Sequence, residues 1–239
     1  MSSKEDFLAN VRQVLGRPGA QATVTPVAAT GLATSHADAR SEAEQARAVA
    51  DERAGELFGE AAQATETAGW TIHRLDSLEQ VSNRVIRICR ERNITTTLTS
   101  THDVLGRAGI SDALNSTGIN CQTLRDEGQG TRDAAFSAGA GITGADWFIA
   151  ESGTLVLHPR EGMSRLISIA PPIHIVVMER GSVLPSLDEL WAIERASHVD
   201  RKLGSMVNLI SGPSRTGDIE ATIVRGIHGP IETHLMMVG

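Results

Sequence analysis

Hydrophobic positions in this chain change their spacing after Gly69. From there on, short apolar or β-branched runs alternate with segments whose apolar residues recur at helical spacing. This alternation predicts a mostly parallel, doubly wound α/β sheet with helices on both faces, to which residues 146–158 add an antiparallel hairpin. The predicted strands are 70–75, 94–100, 119–124, 146–150, 154–158, 173–178, 206–210 and 233–238. Helices are predicted near 77–89, 102–108, 111–115 and 187–203.

The amino-terminal part of the chain has a different pattern. Residues 4–15 show the periodicity of an amphipathic helix, and residues 17–35 form an Ala, Thr, Gly and Pro-rich linker. A long Ala, Glu and Arg-rich helix is predicted for 36–68, with a weak point at Gly55 and Gly59. We therefore predict an extension, 1–35, and an α/β domain, 36–239. The first helix could dock on a second copy, giving a homo-oligomer, or it could fray at the terminus.

Composition narrows the class of protein. The net charge of -7 argues against a nucleic-acid partner, which usually leaves a basic footprint. Cys89 and Cys121 are the two cysteines, so the chain lacks the thiolates for its own iron–sulfur cluster, and we expect no cofactor and no metal in it. The first residues do not resemble a signal peptide, and no apolar run reaches the roughly 20 residues of a membrane helix. We expect a soluble, cytoplasmic protein.

The stretch "ISGPSRTGDIE" is the first candidate site. If 206–210 is a strand and a helix begins near Thr216, the turn between them lies where α/β sheets bind ligands. Its backbone and hydroxyl groups could then hold a carboxylate or phosphate, clamped by Arg215. Asp218 and Glu220 could orient the arginine, serve as acid or base, or cap the helix. The candidate ligand-binding residues here are Ser211, Gly212, Ser214, Arg215, Thr216 and Gly217. The alternative is an ordinary turn with a capping aspartate.

Three further stretches carry polar groups. In "GITGADWFIAESGTLVLH", Glu151 follows an apolar strand, and Ser152, Gly153 and Thr154 form a tight turn beside it. Glu151 could act as nucleophile or general base, or it could be a turn-tip acid in water. His228, in "GIHGP", is an acid/base candidate or a structural histidine. The loop "HPREGMSRL" supplies Arg160 and Arg165, which could rim an anionic pocket or lie in solvent.

Three segments together carry a family resemblance. "GITGADWFIAESGTLVL", "SIAPPIHIVV" and "ISGPSRTGDIE…GIHGP" resemble, in order and spacing, the motifs of the LUD domain family. The resemblance implies the fold shared by ribose-5-phosphate isomerase, glucosamine-6-phosphate deaminase and the CoA transferases. It also implies a role in oxidising L-lactate to pyruvate beside two partner proteins that carry iron–sulfur clusters. "ESG" is similar to the glutamate-containing turn that is acylated in CoA transferases.

Three functions remain open from the sequence. The chain could be a small-anion-binding subunit of a lactate-oxidising assembly, and its two candidate loops should then converge. It could instead be an acyl or CoA transferase, or a sugar-phosphate isomerase, that uses Glu151. It could also be a structural subunit that assembles through its amino-terminal helices.

Overall fold

A computed structural model describes Gln13 and residues 35–124, 129–160, 162–200, 206–217 and 223–239. The chain divides into two compact units, Met1–Ala33 and Thr34–Gly239, and every element named below belongs to the second. The amphipathic helix and the linker predicted before Ser35 lie outside the described residues, apart from Gln13, which is helical. No helix in the described ranges is long and apolar enough to cross a membrane.

The central element is a six-stranded sheet in which every neighbouring pair is parallel. Its strand order is β1-β12-β7-β4-β2-β3. β7 lies in the middle and is apolar almost throughout, as a strand covered on both faces must be. The strands are β1 (Thr71–Leu75), β2 (Thr96–Thr99), β3 (Asn120–Thr123), β4 (Ala140–Gly144), β7 (Ile173–Glu179) and β12 (Glu232–Val238).

Helices cover both faces of this sheet, which confirms the predicted α/β class. One face packs against α3, α4 and α5. The other face packs against α2, α6, α7 and a second sheet. Helices α1 and α8 lie on the outer side of that layer. The helices are α1 (His36–Glu52), α2 (Ala54–Ala68), α3 (Glu79–Glu91), α4 (Asp103–Arg107), α5 (Ile110–Ser116), α6 (Gln129–Ser137), α7 (Leu166–Ile169) and α8 (Leu187–Val199).

The second sheet holds the hairpin that the sequence predicted. β5 and β6 are antiparallel, as expected, but they do not join the central sheet. They form a separate four-stranded sheet in the order β8-β5-β6-β9. The predicted strand at 206–210 also belongs here, since β9 pairs with β6. The bounds are β5 (Trp147–Ile149), β6 (Thr154–Leu157), β8 (Val183–Leu184) and β9 (Asn208–Ile210), and a separate pair is formed by β10 (Arg215–Gly217) and β11 (Ile223–Arg225).

Two predictions about single elements need correction. The helix predicted over 36–68 is two helices, because Arg53 leaves the helical conformation at φ -98° and ψ 9°. The break falls before Gly55 and lets α1 lay its alanine stripe on α8 while α2 packs against the core. The second correction is β4, which the sequence analysis did not predict although it lies between β7 and β2. Its sequence, "AGITG", has little hydrophobic signal because Gly141 must admit the Ile167 carbonyl: an added Cβ would lie 1.7 Å from that oxygen.

Candidate functional site

A cleft lies at the carboxyl ends of β2, β4 and β7. From β2 the chain continues to β3 on one side, whereas from β4 it reaches β7 on the other side by way of the second sheet. Such a reversal of strand order opens a crevice where α/β proteins bind ligands. Two adjoining cavities of about 530 and 430 Å³ occupy this place and share the wall formed by Thr101, His102, Asp103 and Arg107. We call the smaller of the two, which also touches Asp146 and Arg160, the carboxyl-edge cleft.

The segment after β2 places His102 in the wall of the cleft. Nδ1 of His102 accepts a hydrogen bond from the Gly144 N–H at 3.0 Å and lies 2.7 Å from the Ser100 hydroxyl. Because a backbone N–H can only donate, the ring proton must sit on Nε2. The position next to the ring has to be glycine, since a Cβ on Gly144 would lie 2.7 Å from the Cβ of His102. Nε2 itself is buried and has no hydrogen-bond partner among the described residues.

Asp146 follows β4 and forms the opposite wall. Its Oδ1 accepts from Nη2 of Arg160 at 2.9 Å, and its Oδ2 accepts from the backbone N–H of His158 at 2.7 Å. The His158 ring lies between two acids, with Nδ1 3.4 Å from Asp146 Oδ2 and Nε2 2.8 Å from Oε1 of Glu194. Glu194 is a buried residue of α8. A chain of charged groups therefore runs from the cleft into the packing between the second sheet and α8.

The charges of this cluster are set by its partners. Burial alone would raise the pKa of Asp146, but the neighbouring His102 ring and the donors His158 and Arg160 together hold that pKa well below its usual range. Asp146 is therefore a carboxylate at neutral pH. His158 forms hydrogen bonds with Asp146 and Glu194, and these raise the pKa of His158 to about 9, so this ring is a cation. Perturbed pKa values beside a cleft are typical of functional sites.

A second arginine lies on the rim of the same cleft. Nη1 of Arg107 donates to Oε1 of Glu179 at 3.0 Å, and its Nε donates to Asp103 Oδ2 at 2.6 Å. Glu179 ends β7, and Arg107 ends α4, so the pair spans the mouth of the cleft. Arg107 and Arg160 are each paired with an acid and each remain about half exposed, at 45% and 48% of the side chain. Both can therefore reach a dissolved anion.

Of this cluster, the sequence predicts only Arg160, as part of a pocket rim. It does not single out His102, Asp146 or Glu194. The signal for His102 and Asp146 is their position just after two strands, but the pattern places Asp146 at the start of the next strand because it does not predict β4. Arg165, the other predicted rim residue, instead directs Nη1 to the Met206 sulfur at 3.6 Å.

The predicted strand-to-helix turn in "ISGPSRTGDIE" is wrong. Residues 215–217 form β10, which pairs antiparallel with β11. β-Branched Thr216, Ile223 and Val224 favour this hairpin over a helix. No helix start is therefore available at Thr216 and Gly217 to attract an anion. Asp218 and Glu220 lie outside the described residues.

Arg215 has a structural partner. Its Nη2 donates to the carbonyl oxygen of Ala68 at 2.8 Å. Ala68 is the last residue of α2, and Gly69 ends that helix in the left-handed region at φ 91°. A Cβ on Gly69 would lie 2.0 Å from the same Nη2. In this structure, Arg215 caps the carboxyl end of a helix, where a cation is favoured.

The two candidate loops, the one with Ser152 to Thr154 and the one that begins at Ser211, converge as predicted. The hydroxyl oxygens of Thr154 and Ser211 lie 2.6 Å apart, and Ser152 Oγ lies 2.8 Å from Thr154 Oγ1. Next to them, the His228 N–H donates to Ser214 Oγ at 3.2 Å. Gly153 and Gly212, both at positive φ, pack against the backbone of the last turn of α2. These residues form a hydroxyl cluster, and a ligand on it remains a prediction.

Glu151 lies exposed at the tip of the hairpin. Its Oε1 accepts from the Leu187 N–H at 3.2 Å, and its own N–H donates to the Pro185 carbonyl at 3.1 Å. Leu187 is the first residue of α8, so this carboxylate occupies a position where helices favour negative charge. Its contacts are those of a capping residue. The nucleophile role stays a prediction.

Within the described ranges, no group of three or more His, Cys, Asp and Glu side chains is arranged to hold a metal ion. Cys89 is buried, and burial raises the pKa of its thiol to about 11.

Comparison with known proteins identifies relatives along most of the chain. This chain is 31% identical over 169 residues to lactate utilization protein C of Halalkalibacterium halodurans, and the match covers 69% of this chain and 70% of that one. It is 26% identical over 242 residues to the uncharacterized protein YkgG of Escherichia coli, covering 100% and 99% of the two chains.

A solved structure shares the fold. The crystal structure of a DUF162 family protein from Deinococcus radiodurans superposes with a TM-score of 0.53 at 17% identity, covering 78% of this chain and 98% of that one. The LUD domain matches residues 59–238, which include both sheets, the carboxyl-edge cleft and the hydroxyl cluster. The chain belongs to the LUD domain family.

Proposed function

We propose that this chain is a lactate-utilisation protein whose carboxyl-edge cleft binds a small carboxylate, L-lactate or pyruvate. The observation that carries the proposal is the half-exposed side chain of Arg160 in that cleft, whose guanidinium is fixed opposite His102 by its pair with Asp146. A planar guanidinium binds a carboxylate through two parallel hydrogen bonds. The relatives named lactate utilization protein C supply the metabolic context.

The size and polarity of the cleft suit such a ligand. A volume of about 430 Å³ exceeds what a three-carbon acid fills, which leaves room for water or for a second reactant. The wall combines two arginines, which are paired with Asp103, Glu179 and Asp146, with an imidazole donor and the Thr101 and Ser182 side chains. A few polar groups that converge on one crevice are typical of a small-molecule site.

The electrons of lactate oxidation require an acceptor. Converting L-lactate to pyruvate releases two electrons and two protons, and two cysteines cannot supply the four thiolates of an iron–sulfur cluster. We therefore propose that partner proteins with iron–sulfur clusters take the electrons, and that this chain contributes substrate binding without a cofactor of its own.

Calorimetric titration tests the binding site. L-lactate and pyruvate should bind the wild-type protein, and Arg160→Gln should weaken that binding at least tenfold. Arg165→Gln is the matched control, because it removes an arginine of the same loop that contacts Met206 outside the cleft. Arg215→Gln tests the hydroxyl cluster. If Arg215→Gln abolishes binding and Arg160→Gln does not, the ligand site is the cluster predicted from the sequence and the proposed cleft is wrong.

Growth tests the metabolic role. A strain that lacks its lactate utilization protein C should regain growth on L-lactate when it carries this chain, and should not regain it with Arg160→Gln. A variant that lacks residues 1–35 separates assembly from binding. If full-length Arg160→Gln restores growth and the truncated chain does not, the contribution is structural assembly and not ligand binding.

A further inference from the structure

The larger of the two cavities at the carboxyl edge is separate from the proposed carboxylate site. It measures about 530 Å³, and Arg160 lines the smaller cavity and not this one. It extends from the shared wall to the ends of β2 and β3, where Thr99 and Thr123 are paired. We call it the β2–β3 cavity. Its lining is rich in hydroxyl side chains, which belong to Thr99, Ser100, Thr101, Ser111 and Thr123.

The charged groups of this lining carry an excess of negative charge. Nε of Arg107 donates to Asp103, and both of its Nη groups donate to Glu179. The Asp112 carboxylate, by contrast, has no hydrogen bond or ion pair with any residue that the structure describes. An anion in the cavity would meet two carboxylates and a guanidinium that acids already hold. A ligand that donates hydrogen bonds to Asp112 is favoured instead.

The hydroxyl lining and Asp112 together favour a ligand with several hydroxyl groups. A carboxylate only accepts, whereas the hydroxyls of the wall both donate and accept, and neighbouring hydroxyls on one ligand match both. Leu105 and Ile110 are buried residues of the same lining and offer apolar contact to the carbon skeleton of such a ligand. A metal ion or an amine would be attracted to the acids alone, but the Asp103 side chain is 85% exposed, so water screens that attraction.

We propose that the β2–β3 cavity binds the ribose group of a neutral sugar or nucleoside, with two adjacent hydroxyls donating to Asp112. A carboxylate that accepts from a ribose hydroxyl is a common part of nucleotide sites at this edge of α/β sheets. The volume is in the range of cavities that enclose small molecules. Two glycines of the lining, Gly106 and Gly109, leave its wall open, since an added Cβ at either would meet no atom within 4 Å.

Ligand-observed NMR at pH 7 tests the proposal on the wild-type protein. Methyl β-D-ribofuranoside should bind, and its 2-deoxy analogue should bind about tenfold more weakly, because one hydrogen bond to a charged group is lost. Ribose 5-phosphate should bind no more tightly than the riboside, because the acids repel its phosphate. Adenosine separates the two sources: binding tighter than that of the riboside indicates a nucleoside, and equal binding indicates a free sugar. Equal binding of the riboside and its 2-deoxy analogue would overturn the proposal.

Two substitutions test where the sugar binds. Asp112→Ala should weaken binding of the riboside about tenfold, Thr123→Val should weaken it as well, and both should leave the L-lactate titration unchanged. Asp51→Ala, on the exposed face of α1, is the matched control and should bind the riboside as the wild type does. If both cavity variants retain full binding, the sugar lies elsewhere and the proposal is wrong. If no sugar binds, the proposal also fails, whereas the carboxylate site is decided by its own titration.

Discussion

The guanidinium of Arg160 lies across both carboxylate oxygens of Asp146, with Nη2 2.9 Å from Oδ1 and Nη1 3.2 Å from Oδ2. The pair joins the loop after β6 to the end of β4, and so closes one side of the cleft. Asp146 is only 15% exposed, whereas Arg160 is about half exposed. The acid of this pair is buried and its cation is accessible, so a dissolved carboxylate can exchange with Asp146 for the guanidinium of Arg160.

The His158 cation predicts how stability depends on pH. The pKa of His158 is about 9 in the native chain and near the ordinary 6.5 after unfolding. The native state therefore holds a proton that the unfolded state releases between these values, and stability falls as pH rises through that interval. We expect a loss of about 1–2 kcal/mol, because solvent screens a partly exposed ring.

Urea unfolding at pH 6.5 and pH 9 measures this effect. His158→Gln should remove most of the difference between the two pH values while lowering stability at pH 6.5. A difference that persists unchanged in the variant would assign the alkaline loss to another group.

Gly141→Ala should be among the most destabilising small substitutions in the chain. Its Cβ would lie 1.7 Å from the Ile167 carbonyl oxygen, so β4 and α7 must separate. Overpacking of this kind costs about 3 kcal/mol. Gly181→Ala is the control, since an added Cβ there meets nothing within 4 Å. Thermal unfolding of the two variants should differ by several degrees, and equal midpoints would mean that the approach of α7 to β4 is looser than this geometry.

Arg215→Met should destabilise the protein through α2. The variant keeps the alkyl stem but loses the hydrogen bond to the Ala68 carbonyl, which should cost about 1 kcal/mol. Arg74→Met, on an exposed position of β1, is the control and should stay within about 0.5 kcal/mol of wild type. Chemical denaturation measures both. An unchanged stability of Arg215→Met would return this side chain to the candidates for ligand binding.

Glu151→Gln distinguishes a cap from a nucleophile. Loss of the charge at the first turn of α8 should cost a few tenths of a kcal/mol to about 1 kcal/mol. Wild type incubated with acyl-CoA and hydroxylamine should yield no Glu151 hydroxamate by mass spectrometry. Detection of that adduct in wild type, and its absence in Glu151→Gln, would support the transferase function instead.

The local pattern of hydrophobic residues predicts most of the strands and helices of the fold. The continuous apolar run of β7 predicts a doubly covered strand, and alternation with helical segments predicts the parallel sheet. The sequence does not predict β4, because its glycines are needed for close contacts: Gly141 admits the Ile167 carbonyl, and Gly144 admits the His102 ring. A strand that uses glycines so that other backbone and side-chain groups can approach it closely has little of the hydrophobicity that identifies strands in a sequence.

The site depends on contacts that sequence spacing does not reveal. His102 and Asp146 meet because β2 and β4 are neighbours in the sheet, although 44 positions separate them. Arg215 had the local surroundings of an anion clamp, yet its partner is the carbonyl of Ala68, far earlier in the chain. Residue type and turn composition indicated candidates, but tertiary pairing decided which of them share a cleft.

A crystal structure with bound L-lactate tests the central claim most directly. We predict density in the carboxyl-edge cleft, with the ligand carboxylate on Arg160. Lactate at the hydroxyl cluster of Thr154 and Ser211, with the cleft unchanged at a saturating ligand concentration, would contradict it.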